Sequence, residues 1–149
     1  MFKAIEIHGD KVVKYCEGHE LFVAYYFWQN PNNIVIPITN FSWTEKCYTM
    51  LRGERPAYTE RKIIDWIKST YKTMKHLKFS HNDIMLQNIV RIKDGLGNWQ
   101  YRLIDLEFVK FGGGSFKDWA LCNQLINRVL NNTSSNRDGY QNIVSFFRQ

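Results

Sequence analysis

Two apolar stretches, Ile89 to Ile92 and Trp99 to Ile104, flank Asp94-Gly95-Leu96-Gly97-Asn98, and no other feature of the chain limits its fold so tightly. Glycine reaches the backbone angles of a tight turn, while aspartate and asparagine bond their own backbone there. The segment therefore predicts a β-hairpin. A hairpin folds its ends together, so Asn88, before the first strand, and Asp105, after the second, are expected side by side.

That expectation has chemical content. An amide oxygen and a carboxylate are hard donors, suited to a magnesium ion bridging the phosphates of a nucleotide. Asp83, five residues before Asn88 in His81-Asn82-Asp83-Ile84-Met85-Leu86-Gln87-Asn88, is placed to orient an acceptor hydroxyl and take its proton. Each of these residues is ordinary in a turn; their coincidence with the flanking apolar runs is the signal.

The remaining pattern is α+β. Phe2 to Cys16 reads as a hairpin turning at Gly9-Asp10, and the apolar run Glu20 to Gln29 as a short buried helix stopped by Asn30-Pro31. Ile34 to Phe41 and Lys46 to Leu51 read as strands. Arg52-Gly53-Glu54-Arg55-Pro56 breaks the pattern and divides a small β-rich lobe, 1–52, from a more helical one, 53–149, within a single domain. Thr59 is expected to cap a helix running to Leu77, with Ile63, Ile67, Tyr71, Met74 and Leu77 on its inner face. Ser115-Phe116-Lys117-Asp118 has the capping-box form ahead of a helix to about Leu130. Asn131 to Gly139 reads as a loop, and a short segment, Tyr140 to Arg148, follows it.

Composition narrows the partners. A chain of 149 residues with 44% hydrophobic and 15% aromatic side chains can bury a core, which excludes a largely disordered protein. The formal charge of +6 suits an anionic partner such as a nucleotide. Lys68, Lys72, Lys75 and Lys78 are spaced as the solvated face of one helix, which argues against nucleic acid. Cys16, Cys47 and Cys122 are widely spaced and odd in number, as expected of reduced thiols in the cytoplasm. No signal peptide or membrane-length apolar run is read from the sequence.

The order His-x-Asp-x-x-x-x-Asn, apolar strand, hairpin, Ile104-Asp105-Leu106-Glu107 resembles the catalytic and metal-binding loops of the protein-kinase-like superfamily. Asp105-Leu106-Glu107 and His81-Asn82-Asp83 are closer to the aminoglycoside phosphotransferase and choline kinase branch than to typical protein kinases. The resemblance implies a two-lobe kinase-like fold, ATP and Mg²⁺ as cofactors, Asp83 as the catalytic carboxylate, and Asn88 and Asp105 as metal ligands. It implies that Lys14 and Glu20 form an ion pair placing the ammonium on the α- and β-phosphates, with Glu17 as the alternative carboxylate. Met50-Leu51-Arg52-Gly53 resembles the hinge, where Met50 and Leu51 would meet the adenine edge. His81 is expected to be architectural, and Asp118 either to brace the catalytic loop or to cap its own helix.

The pattern departs from the family at two places. Only thirteen residues precede Lys14, too few for a strand and a glycine-rich loop, and Gly112-Gly113-Gly114 lacks the Lys-Ser/Thr of a P-loop. About thirty residues follow Asp118, where relatives carry further helices. Two functions remain open. One is a minimal ATP-dependent kinase acting on a hydroxyl of a protein or small molecule. The other is a weak or inactive kinase mimic that modulates a protein partner, with an oligomer or partner completing the cleft.

Overall fold

The computed structural model describes residues 4–57, 59–112 and 116–133. They form a mixed α/β fold with antiparallel sheets and three helices. Strands β1 (Ile5–His8) and β2 (Lys11–Tyr15) make the first hairpin, closed by His8 opposite Lys11. Gly9 sits at φ +62°, a conformation costly for any residue with a Cβ, which is why a glycine holds this corner.

Helix α1 (His19–Gln29) follows and ends where the Asn30 N–H donates to the Tyr26 carbonyl at 2.8 Å, just ahead of Pro31. Strands β3 (Ile38–Ser42) and β4 (Cys47–Leu51) complete a four-stranded sheet of order β1-β2-β4-β3. The expected strand from Ile34 is cut short at its start. Pro37 cannot donate to a ladder, and the buried Ile34-Val35-Ile36 run pairs elsewhere: the Ile36 N–H donates to the Leu103 carbonyl at 3.0 Å, and Leu103 N–H to the Ile34 carbonyl at 2.7 Å.

Leu103 belongs to the hairpin that turns at Asp94–Asn98. Strands β6 (Ile89–Lys93) and β7 (Trp99–Leu103) pair around a turn organised by Asp94, whose carboxylate accepts the N–H groups of Leu96 and Asn98 at 2.8 and 2.9 Å. These backbone donors hold the Asp94 carboxyl below its ordinary value. Arg91 and Glu54 exchange both backbone hydrogen bonds, at 2.8 and 2.9 Å.

These bonds explain how the chain groups. One compact unit comprises Met1–Glu54 with Val90–Val109; the other comprises Arg55–Ile89 with Lys110–Gln149. The break at Arg52-Gly53-Glu54-Arg55-Pro56 predicts a single division after residue 52, with the hairpin in the second lobe. In the structure residues 90–109 cluster with the first, because the ladders to Ile34, Ile36 and Glu54 tie them there.

Gly53 is required at that junction. A Cβ built on it would lie 2.5 Å from the Val90 Cβ and 3.1 Å from the Arg91 carbonyl oxygen. Gly53→Ala should therefore lower unfolding stability by about 2 kcal/mol, as overpacking does, measured by urea denaturation. An unchanged midpoint would show that the strand moves aside freely.

In the second unit, helix α2 (Lys62–Leu77) and helix α3 (Phe116–Thr133) pack together, and short strands β5 (Phe79–Ser80) and β8 (Lys110–Phe111) pair antiparallel. Thr59 does not cap α2. Its first-turn N–H groups at Ile63 and Ile64 are taken by the carbonyls of Glu60 and Arg61, at 3.1 and 3.0 Å. The buried stripe is Ile63, Ile67, Thr70 and Met74, whereas Leu77 is exposed and Tyr71 only half-buried. Helix α3 buries Cys122, Leu125, Ile126, Val129 and Leu130, leaves Leu121 half-buried, and runs on through Asn131 to Thr133. Ser115, and the loop and closing segment from residue 134 onward, lie outside the described residues. None of the three cysteines is in a disulfide, and all are buried. Among the described residues no helix is long and apolar enough to cross a membrane.

Candidate functional site

The first unit gathers a charged cluster in its core. Lys14 on β2 stands directly opposite Tyr48 on β4, so both side chains leave the sheet on the same face. Glu20, in the first turn of α1, meets them there. Lys14 Nζ lies 2.8 Å from Glu20 Oε2, and the Tyr48 hydroxyl donates to the same oxygen at 2.9 Å. Glu20 is 2% exposed and Tyr48 1%, so this carboxylate is held without bulk water.

A carboxylate so placed is costly unless it is paired and hydrogen-bonded, and here it is both. Burial, followed by the neighbouring Glu20 charge, pushes the Tyr48 phenol well above its ordinary value, so it stays a donor. Asp105 approaches the same ammonium, with Oδ1 at 3.5 Å from Lys14 Nζ. Carboxylate oxygens of Glu20, Asp105 and Glu107 all lie within 4.8 Å of one another. Asp105 holds φ +65°, a left-handed backbone that few non-glycine residues adopt and that aspartate and asparagine tolerate best. Glu17, the alternative to Glu20, instead faces Lys46 at 3.4 Å on the surface.

The second unit positions the loop His81 to Asn88. Its brace is Asp118, 2% exposed near the start of α3, whose carboxylate accepts the Asn82 N–H at 2.7 Å and the His81 N–H at 3.1 Å. Burial pushes the Asp118 carboxyl up, and the Asn82 amide partly offsets that. Fully buried His81 accepts the Asp83 N–H on Nδ1 at 3.2 Å, which fixes its proton on Nε2 and makes it part of the frame. Asn88 donates from Nδ2 to both the Asp83 backbone carbonyl and Asp83 Oδ2, each at 2.8 Å. Its amide nitrogen is thereby committed, and Oδ1 is the end left for a cation. Asp83 keeps Oδ1 for a donor of its own.

The structure thus brings Lys14, Glu20 and Asp105 together in one unit, and Asp83 and Asn88 in the other. The backbone amide at Leu51, where the adenine edge is expected, is engaged within the sheet. The Leu51 N–H donates to the Pro37 carbonyl at 3.1 Å, and Arg52 and Glu54 donate to Asp10 and Arg91 at 2.8 and 2.9 Å. These amides belong to the sheet and to the β6 ladder. Met50, 6% exposed, sits mid-sheet opposite Val12 and Ile38. Tyr48 is the residue the sequence reading missed. A tyrosine inside an apolar strand signals only core packing, and its partner is set by cross-strand register with Lys14, which a single sequence does not display.

No family model matches this chain, and no curated protein matches it. Among solved structures it is similar to a crystal structure of the Rad53 kinase domain and SCD2. The TM-score is 0.63 and the identity 16%, over 95% of this chain and 65% of that one. This likeness shows a kinase-like fold. The present chain spans about 65% of the length of that neighbour.

Proposed function

We propose that this chain is an ATP-dependent phosphotransferase of two-lobe kinase architecture that moves the γ-phosphoryl group to a hydroxyl acceptor. The observation that carries this reading is the buried Lys14–Glu20 pair at 2.8 Å with Asp105 beside it. A buried ion pair is poor value as mere stabilisation, since apolar residues of similar size commonly serve as well or better. A function for the ammonium accounts for it: Lys14 would bind nucleotide phosphates, held in place by Glu20. The hard oxygens of Asp105 and of Asn88, whose amide nitrogen Asp83 occupies, suit Mg²⁺. That ion, when bound, offsets charge on the β- and γ-phosphates. Asp83 would orient the acceptor hydroxyl and take its proton.

The motif forms at Asp83 and at Asp105-Leu106-Glu107 lean towards the aminoglycoside phosphotransferase and choline kinase branch, hence to a small-molecule acceptor, with a protein as the other class. The buried thiols fit a reducing compartment, and we place the protein in the cytoplasm.

Calorimetry with Mg-ATP tests the reading. The wild type should release heat saturably, and Lys14→Arg should bind about tenfold more weakly, because it keeps a charge for Glu20 but not the compact ammonium. One observation favours the second reading, a kinase mimic that modulates a partner protein or requires one to complete its nucleotide site: the Leu51, Arg52 and Glu54 amides are already bonded. Absence of Mg-ATP heat from the wild type would decide for the mimic.

A further inference from the structure

Glu20 faces a difficulty that the phosphotransferase reading creates, and this inference rests on that reading. Its carboxylate is 2% exposed and pairs with Lys14 at 2.8 Å. A nucleotide phosphate competes for the same ammonium, which Asp105 also approaches at 3.5 Å. Each step of Lys14 towards phosphate weakens its hold on a carboxylate that has no bulk water to replace it, and an undercompensated buried charge is costly.

We propose that Tyr48 is a positioning residue for nucleotide binding: its hydroxyl holds the Glu20 carboxylate in place while Lys14 is shared with the phosphates. The geometry suits the task. The donor lies 2.9 Å from Glu20 Oε2, the oxygen that also faces Lys14, and it comes from the strand position directly opposite Lys14. The ring is 1% exposed on the central strand β4, so the hydroxyl is carried by the sheet and has little freedom to leave. A phenylalanine would fill the same space. The hydroxyl, which phenylalanine lacks, donates to the oxygen that Lys14 faces, and hydrogen bonds to a charged acceptor are the strong ones.

Tyr48→Phe removes the hydroxyl and leaves the ring. Calorimetry should show affinity for Mg-ATP falling about tenfold while affinity for adenosine, which makes no demand on Lys14, is unchanged. A role in packing alone would weaken both equally, and equal losses, or no loss of Mg-ATP affinity, would overturn the proposal. A second measurement needs no nucleotide: a double-mutant cycle of Tyr48→Phe with Glu20→Leu, read by urea denaturation. Coupling is expected, with Tyr48→Phe nearly silent once Glu20 is gone; additive effects would overturn the proposal. Should Tyr48→Phe alone fail to fold, folding of the Tyr48→Phe/Glu20→Leu protein supports the proposal and its failure to fold counts against it. A wild type that binds no Mg-ATP would defeat the phosphotransferase reading, and the cycle would then decide by itself whether Tyr48 holds Glu20.

Discussion

Asparagine in place of Asp105 should cut magnesium-dependent ATP turnover by about a thousandfold while the protein folds as before. The fold should survive for a local reason. Asp105 sits at φ +65°, and asparagine accepts that left-handed backbone as readily as aspartate. Its side chain keeps the shape and one oxygen. What is lost is the negative charge, which serves two neighbours: the proposed magnesium ion and the Lys14 ammonium at 3.5 Å. Phosphoryl transfer gives a protein little covalent work, so positioning and charge stabilisation supply nearly all of the rate. Removing one electrostatic contribution in a low-dielectric site typically costs about 3–4 kcal/mol of barrier, equivalent to two to three powers of ten in rate. Initial rates of ADP release measured beside a circular dichroism spectrum separate the two effects. Full turnover in a folded Asp105→Asn protein would remove Asp105 from the mechanism, and with it the proposed metal site.

Local patterns in the sequence carried much of the fold. The Gly9-Asp10 and Asp94–Asn98 turns, α1 and its stop at Asn30-Pro31, and the apolar face of α3 all rest on interactions within a few residues, so composition and spacing reveal them. Readings that failed depended on distant partners. Ile34-Val35-Ile36 is a plain apolar run whose ladder partner, Leu103, lies far along the chain, and nothing local distinguishes that pairing from a longer β3. Thr59 is a good capping residue in isolation, yet the first turn of α2 closes on the carbonyls of Glu60 and Arg61. The inner face of α2 takes Thr70 in place of Tyr71, because a slight rotation about the helix axis selects one neighbour over the other. At the candidate site the motif marked Asp83, Asn88 and Asp105, and a strand lysine with a helix glutamate suggested Lys14 and Glu20. Tyr48 and the commitment of the Leu51 amide follow only from sheet register, which is a property of pairs of strands.

Asp118→Ala should be the most destabilising of these substitutions, by about 3 kcal/mol. The carboxylate joins α3 to the loop through the Asn82 and His81 N–H groups, at 2.7 and 3.1 Å, in surroundings where Asp118 and His81 are 2% and 0% exposed. Alanine removes that acceptor from both donors, and water has little access to replace it. Each donor that loses its acceptor in a buried site costs about 1–3 kcal/mol, more than a present hydrogen bond contributes on balance. The loss should also depend on pH, with a sign opposite to most aspartates. Burial raises the folded-state value of this carboxyl above 3.8, so the native protein binds its proton more tightly than the unfolded chain does. The stabilisation linked to that proton is complete below 3.8 and is lost as pH rises through the folded value, so the Asp118→Ala penalty should be larger in acid than at about pH 7. Urea denaturation of both proteins across that interval reads the difference directly. A penalty that grew towards neutral pH would mean that the two N–H bonds, and not burial, dominate the site. The same substitution releases the segment bearing Asp83, so turnover should fall with stability although the proposed mechanism gives Asp118 no contact with substrate. Asp118→Asn keeps one acceptor oxygen and should recover part of both losses; recovery of stability without recovery of turnover would show that the carboxylate does more than hold the loop.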